Sequence, residues 1–200
     1  MKRLGILISG RGSNFESIAD SIDAGRLEAE IAIVISNNPH ARGLRTAKRR
    51  GLKAICIRSR AMEREAYDRL VIERLRKARV DLVCLAGFMR LLSAHFVNEY
   101  RQRILNIHPS LLPSFPGLEA QLQALEHGVK YTGCTVHFVD ERLDAGPIIR
   151  QAVVPVLDSD SEDVLAARIL KEEHRIYTEA IRLVLSGNLR IEGRRVLRTS

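Results

Sequence analysis

The chain has 200 residues, enough to bury a full hydrophobic core, and its 46% hydrophobic and 28% charged residues are typical of a globular protein. The longest apolar runs fall short of the roughly 20 residues that cross a membrane. The formal net charge is +8, but the arginines are scattered and aromatic residues are only 4%. This balance favours small anionic ligands over nucleic acid or a membrane.

Strand-like and helix-like segments alternate over the first 110 or so residues. The alternation predicts a doubly wound, mostly parallel α/β sheet. The predicted strands are Leu4–Ser9, Glu30–Ser36, Ala54–Ile57 and Asp81–Ala86, followed by a buried strand from Ile104 that Pro109 ends. The predicted helices run from about Phe15 to Ala24, from Ala41 to Arg50 and from Met62 to Ala78.

The second half of the chain has a different pattern. A helix is expected over Leu118–Glu126, then strands over Thr132–Val139 and Pro147–Val154. Ser159 and Glu162 have the spacing of a capping box, which predicts a helix from there to about Leu185. Leu189–Ile191 and Val196–Leu197 are expected to form a terminal hairpin. With no repeat or linker in the sequence, we expect one domain.

The three cysteines indicate free thiols. Cys56, Cys84 and Cys134 form no C-x-x-C pair, and each follows or lies within a strand-like apolar run. We therefore expect all three to be buried, in a reducing cytoplasmic environment.

The segment Ser9–Asn14 joins the first strand to the first helix. Its glycines let backbone N–H groups approach a ligand, and the helix N-terminus favours a phosphate. Gly10 and Gly12 give only part of a dinucleotide fingerprint, because Phe15 stands where the third glycine would be. Two interpretations stay open: a phosphate site using Gly12, Ser13 and Asn14, or a tight turn with Ser13 or Asn14 as the helix cap.

Asn106 and His108 lie two residues apart at the end of a strand, so both side chains leave the same face. An amide and an imidazole can both donate hydrogen bonds to an oxygen that gains negative charge. Asp144 lies in a predicted turn. If it lies near His108, its carboxylate would raise the histidine pKa above about 6.5. No histidine pair has metal-ligand spacing, so no metal is assigned.

Several motifs in fixed order resemble the phosphoribosylglycinamide formyltransferase family, the folate-dependent glycinamide ribonucleotide transformylases of purine synthesis. The resemblance covers nearly the whole chain. The motifs are Gly12-Ser-Asn14, Asp81–Arg90, Asn106–Pro113 with Phe115-Pro-Gly117, Gly133–Val139 and Asp144–Ile149. One departure is Glu119, which stands where family members often carry a histidine.

The resemblance implies a formyltransferase fold with a Rossmann-like N-terminal half, and an activity. A formyl group passes from 10-formyltetrahydrofolate to the amine of 5-phosphoribosylglycinamide in de novo purine biosynthesis, without a metal. Residues 1–110 then form the half that binds the ribonucleotide phosphate, and residues 111–200 complete the folate site. The implied protein is cytoplasmic and a monomer or homodimer, with small-molecule substrates as its partners.

The family's functional residues match positions of this chain. Asn106, His108 and Asp144 match its catalytic trio, and Gly12, Ser13 and Asn14 its phosphate loop. Glu173 matches a contact to the substrate ribose. The folate contacts match Arg64, Met89, Arg90, Leu91, Leu92 and Asn106, together with Asp140, Glu141, Arg142, Leu143 and Asp144.

Three rival functions are weighed against this one. A tRNA formyltransferase is expected to need a further C-terminal RNA-binding domain, and a formyltetrahydrofolate hydrolase a further N-terminal domain. A non-catalytic nucleotide-binding module would use only the Gly12–Asn14 loop, so that His108→Ala would change no activity.

Overall fold

The computed structural model describes residues 1–199, which divide into two compact units, Met1–Asn106 and Ile107–Ser200. The first unit alternates strands and helices. Its elements are β1 (Lys2–Ile8), α1 (Ser13–Asp23), β2 (Ala29–Ser36), α2 (Arg42–Arg49), β3 (Ala54–Cys56), α3 (Arg64–Lys77), β4 (Leu82–Leu85) and α4 (Ala94–Glu99), followed by β5 (Ile104–His108), whose last two residues belong to the second unit.

The strands of the first unit follow the order β3-β2-β1-β4-β5, and all four neighbouring pairs are parallel. Their residues are apolar on both faces, as in Ile6, Leu7, Val83 and Leu105, which are fully buried. The order reverses between β1 and β4, the place where open parallel sheets bind ligands. The predicted α/β class, with a mostly parallel sheet and a Rossmann-like first half, is confirmed.

The second unit is mainly antiparallel. Its elements are α5 (Ala120–Glu126), β6 (Tyr131–Phe138), β7 (Ile148–Pro155), α6 (Glu162–Leu185), β8 (Leu189–Glu192) and β9 (Arg195–Arg198). β6 and β7 pair antiparallel, β9 joins β7 in parallel, and β8 and β9 form the predicted hairpin. The apolar face of α6 packs against β6, β7 and α5.

Three details differ from the sequence predictions. The short helix α4 follows Ser93, whose hydroxyl accepts the Phe96 N–H, and was not predicted. The cap of α6 is Ser161 and not Ser159, because the Ser161 hydroxyl accepts the Val164 N–H. Cys56 is exposed, contrary to expectation, because it ends the edge strand β3, whereas Cys84 and Cys134 are buried.

Within residues 1–199, none of the helices combines the length and the apolar character that a bilayer crossing requires.

Gly133 in β6 should be intolerant of a side chain. A Cβ there would lie 1.9 Å from the carbonyl oxygen of Ala152 in β7. Neither strand can move away without breaking the backbone hydrogen bonds that pair β6 with β7. We expect Gly133→Ala to lower the free energy of unfolding by about 1–3 kcal/mol, measured by urea denaturation. Gly10→Ala is the control, since nothing lies within 4 Å of its added Cβ; equal losses in the two variants would contradict the prediction.

Candidate active site

The centre of the candidate site is His108, the last residue of β5, whose side chain is only 6% exposed. Its Nε2 donates a hydrogen bond to the carbonyl oxygen of Phe115 at 2.8 Å. Its Nδ1 lies 3.4 Å from Oδ2 of Asp144. Both ring nitrogens therefore face oxygen acceptors, and only the doubly protonated imidazole places a proton on each. The arrangement is suited to holding an imidazolium.

Asp144 reaches His108 from the loop between β6 and β7. Its backbone is left-handed, with φ of 46°. Its Oδ2 also accepts the Gly117 N–H at 2.9 Å. Two residues on, Gly146 passes so close to the strand that a Cβ would lie 1.8 Å from the Phe138 carbonyl oxygen. The turn, the glycine and the Gly117 N–H together aim the carboxylate at the imidazole.

The other carboxylate oxygen of Asp144, Oδ1, faces a second imidazole, that of His137. His137 in β6 is 2% exposed, and its Nε2 lies 3.8 Å from Oδ1 of Asp144. Its Nδ1 donates to the Phe138 carbonyl oxygen at 2.8 Å. Burial lowers the pKa of His137 below its ordinary value, although Asp144 acts in the opposite direction. Asp144 is therefore placed between two histidines whose surroundings differ.

The segment after His108 is fixed by Thr135 of β6. The buried Thr135 hydroxyl donates to the Ser110 carbonyl oxygen at 2.7 Å and accepts the Leu112 N–H at 3.1 Å. Gln151 donates to both Thr135 and the Leu112 carbonyl oxygen. These bonds fix the start of the segment that presents the Phe115 carbonyl oxygen to His108. These partners could not be predicted from the sequence, because most of them are backbone groups, which residue type does not reveal.

Asn106 lies two residues before His108 in β5. Its Cα pairs with Leu85 of β4, so it lies at the carboxyl end of the parallel strands of the first unit, half-buried. Glu173 lies on the buried side of α6 and is 8% exposed; burial raises the pKa of the Cys134 thiol in β6, and the charge of Glu173 adds to that shift.

The predicted phosphate loop follows β1. Gly12 is the N-cap of α1 with φ of 79°, and no side chain caps the helix. The alternative in which Ser13 or Asn14 is the cap is therefore wrong. A Cβ on Gly12 would lie 3.1 Å from the Gly43 backbone, so the close packing of two turns also needs glycine here. An uncapped helix N-terminus leaves N–H groups for an anion.

The segment Met89–Leu92 follows β4, beside the end of β1. The Met89 N–H donates to the Ser9 hydroxyl at 2.8 Å, and the Ser9 N–H to the Gly87 carbonyl oxygen at 3.0 Å. The Arg90 guanidinium lies 4.7 Å above the Tyr67 ring. Met89 and Leu91 are exposed, so this edge offers apolar side chains next to a cation.

The other predicted folate contacts lie at two places. Arg64 is the first residue of α3 and is exposed. In the loop of Asp144, Asp140 accepts the Arg142 N–H and pairs with its guanidinium at 2.9 Å. Glu141 and Leu143 are exposed there. Within residues 1–199, no group of three or more His, Cys, Asp or Glu side chains is arranged to hold a metal ion.

Comparison with known proteins shows the family of the chain. The model of the formyl transferase family, described as "Formyl transferase", matches residues 2–181. The chain belongs to the formyl transferase family. It is 45% identical over 187 residues to the phosphoribosylglycinamide formyltransferase of Escherichia coli strain K12, covering 93% of this chain and 88% of that protein.

Two further proteins are similar to this chain over nearly its whole length. It is 50% identical over 189 residues to the trifunctional purine biosynthetic protein adenosine-3 of Drosophila melanogaster, covering 93% of this chain but only 14% of the fly protein's length. The crystal structure of glycinamide ribonucleotide transformylase 1 from Symbiobacterium toebii superposes with a TM-score of 0.98 at 55% identity, covering 100% of this chain and 95% of that one. This likeness confirms the predicted formyltransferase fold.

The buried His137 predicts a pH-dependent stability. Because its folded-state pKa is lowered, the unfolded chain binds its proton more readily between that pKa and the usual value of 6.5. The free energy of unfolding should therefore fall as the pH drops below about 6.5. We expect His137→Asn, which keeps a donor to Phe138, to reduce this slope in urea titrations at several pH values.

The control is His40→Gln, which removes an exposed histidine from a turn. A wild-type slope in His137→Asn, or an equal reduction in His40→Gln, would argue against the assignment to His137.

Proposed function

We propose that this protein transfers a formyl group from 10-formyltetrahydrofolate to the amine of 5-phosphoribosylglycinamide, as in de novo purine biosynthesis. The observation that carries the proposal is the buried His108–Asp144 pair at 3.4 Å, at the strand end that also carries Asn106. The names of the relatives support the same reaction, and 10-formyltetrahydrofolate is the co-substrate of formyltransferases of this family.

The chemistry requires one bond to form and one to break. The glycinamide nitrogen attacks the formyl carbon, and the carbonyl oxygen becomes an oxyanion. The carbon–N10 bond then breaks, the amine loses one proton and N10 gains one. Asn106, through its side-chain N–H, and protonated His108 stabilise the oxyanion, each with about 2.7–4 kcal/mol if well placed. No covalent bond to the protein is needed.

His108 is also the best proton carrier of the site. Its Nδ1 faces Asp144, which stabilises the cation, so Nε2 is the nitrogen available to the reaction. Nε2 donates a hydrogen bond to the Phe115 carbonyl oxygen in this structure. To act on the substrate, Nε2 must give up that oxygen and donate instead to the formyl oxygen, or to a water molecule that lies between Nε2 and the formyl group. The hydrogen bond from Gly117 keeps Asp144 in place meanwhile.

Substrate binding follows from the loops already described. The uncapped N-terminus of α1, with Gly12, Ser13 and Asn14, suits the ribonucleotide phosphate, and Glu173 suits a ribose hydroxyl. The exposed Met89 and Leu91 suit the flat folate ring, and the cations Arg64 and Arg90 suit its carboxylates. The net charge of +8 favours two anionic substrates. Location in the cytoplasm and a monomeric or dimeric state stay predictions.

The reaction is tested with purified protein, glycinamide ribonucleotide and 10-formyl-5,8-dideazafolate, following the absorbance of the deformylated product. We expect turnover with this pair, and a loss of at least about 100-fold in His108→Ala, because a positioned acid–base group contributes about 10²–10⁴. Formyl transfer to tRNA or to water in place of glycinamide ribonucleotide would overturn the substrate assignment. Unchanged activity in His108→Ala would overturn the mechanism.

Asp144→Asn keeps the shape of the side chain but removes its charge. We expect kcat to fall about 100-fold or more while KM for both substrates changes little, because the charge acts on His108 in the transition state. The control is Asp158→Asn, which removes an exposed carboxylate paired only with Lys130. A raised KM with a normal kcat in Asp144→Asn would contradict this role.

A further inference from the structure

A cavity of about 380 Å³ lies in the second unit, where the end of α6 meets β7 and the β8–β9 hairpin. Its lining includes Arg150, Arg182 and Arg198, with Glu179, Ser186 and Asn188. None of the residues of the candidate active site lines it. The cavity is therefore a separate feature of the fold.

The three arginines bring their charges to this cavity without a counter-ion. None of them forms an ion pair within residues 1–199, whereas Arg168, Arg175 and Arg190 of the same unit are all paired. The Nε of Arg150 is buried and has no hydrogen-bond partner among the described atoms. A buried donor left without an acceptor is costly, so an acceptor that enters the cavity would lower this cost.

The local acids do not neutralise the cluster. Glu179 is the one acidic residue of the lining, and its carboxylate is paired with Arg175 at 2.9 Å. Three arginines less one glutamate give the lining a formal charge of +2. The carboxyl end of α6 contributes only about −0.5 of an elementary charge. The positive charge of the lining therefore exceeds the amount that would balance the negative end of the α6 dipole.

We propose that this cavity binds a small phosphorylated anion. A phosphate monoester carries about −1.5 to −2 charges at pH 7, which matches the lining, and guanidinium groups pair with phosphate oxygens in a fork. The volume lies within the range of about 300–1,000 Å³ of ligand pockets, so there is room for an organic group beside the phosphate. Arg182 and Arg198 lie beyond residue 181, where the family match ends.

The proposal is tested by calorimetric titration of inorganic pyrophosphate into the full-length protein. The background is Ser13→Asp, whose carboxylate repels anions from the Gly12–Asn14 loop, so that binding there does not obscure the second site. We expect this variant to bind pyrophosphate. Arg182 and Arg198 are both exposed. Adding Arg182→Gln and Arg198→Gln to this background should weaken the affinity for pyrophosphate by about 100-fold, roughly tenfold for each charged donor removed.

The matched control is Arg194→Gln in the same background. It removes one charge, as each of the two cavity substitutions does, from the turn of the same hairpin, outside the cavity, and should leave the affinity within about twofold of its background. The site is refuted if Ser13→Asp binds no pyrophosphate, if Arg182→Gln with Arg198→Gln leaves the affinity unchanged, or if Arg194→Gln weakens binding as much as the pair. Circular dichroism of each variant establishes that it is folded.

Discussion

The candidate site depends on one buried carboxylate. Asp144 is 10% exposed, and a carboxylate taken out of water is stable only with partners. Its oxygens find them in the Gly117 N–H and in the imidazoles of His108 and His137. Each partner comes from a different segment of the second unit. The position of this single charge therefore fixes how the β6–β7 loop, the end of β5 and the segment after it are arranged.

The two histidines beside Asp144 carry the same imidazole group but suit different roles, because their positions differ. His137 is the next-to-last residue of β6 and its pKa is lowered by burial, which favours the neutral ring. His108 is the last residue of β5, and its Nδ1 lies closer to Asp144 than the Nε2 of His137 does, at 3.4 Å against 3.8 Å. The first is suited to holding the carboxylate in place, and the second to carrying a proton.

The sequence predicted the parts of this arrangement that depend on local pattern. Apolar runs located the strands, and the polar pair Asn106 and His108, which interrupts one of them, indicated the candidate site. The capping residue of α6 was misplaced because Ser159 and Ser161 are both of a type that can cap a helix, and residue type does not tell which hydroxyl accepts the Val164 N–H. The Phe115 carbonyl and the Gly117 N–H could not be predicted, since backbone groups have no signature in residue type.

The cysteines have a practical consequence. Cys84 and Cys134 are buried, and burial raises the pKa of the Cys134 thiol to about 12, so neither side chain is open to a reagent in solution. Cys56 ends an edge strand and is exposed; partial burial raises the pKa of its thiol as well, so its exposure and not its acidity distinguishes it. A maleimide dye should therefore attach to the native enzyme at one place, giving a fluorescent reporter of the first unit without any engineered residue.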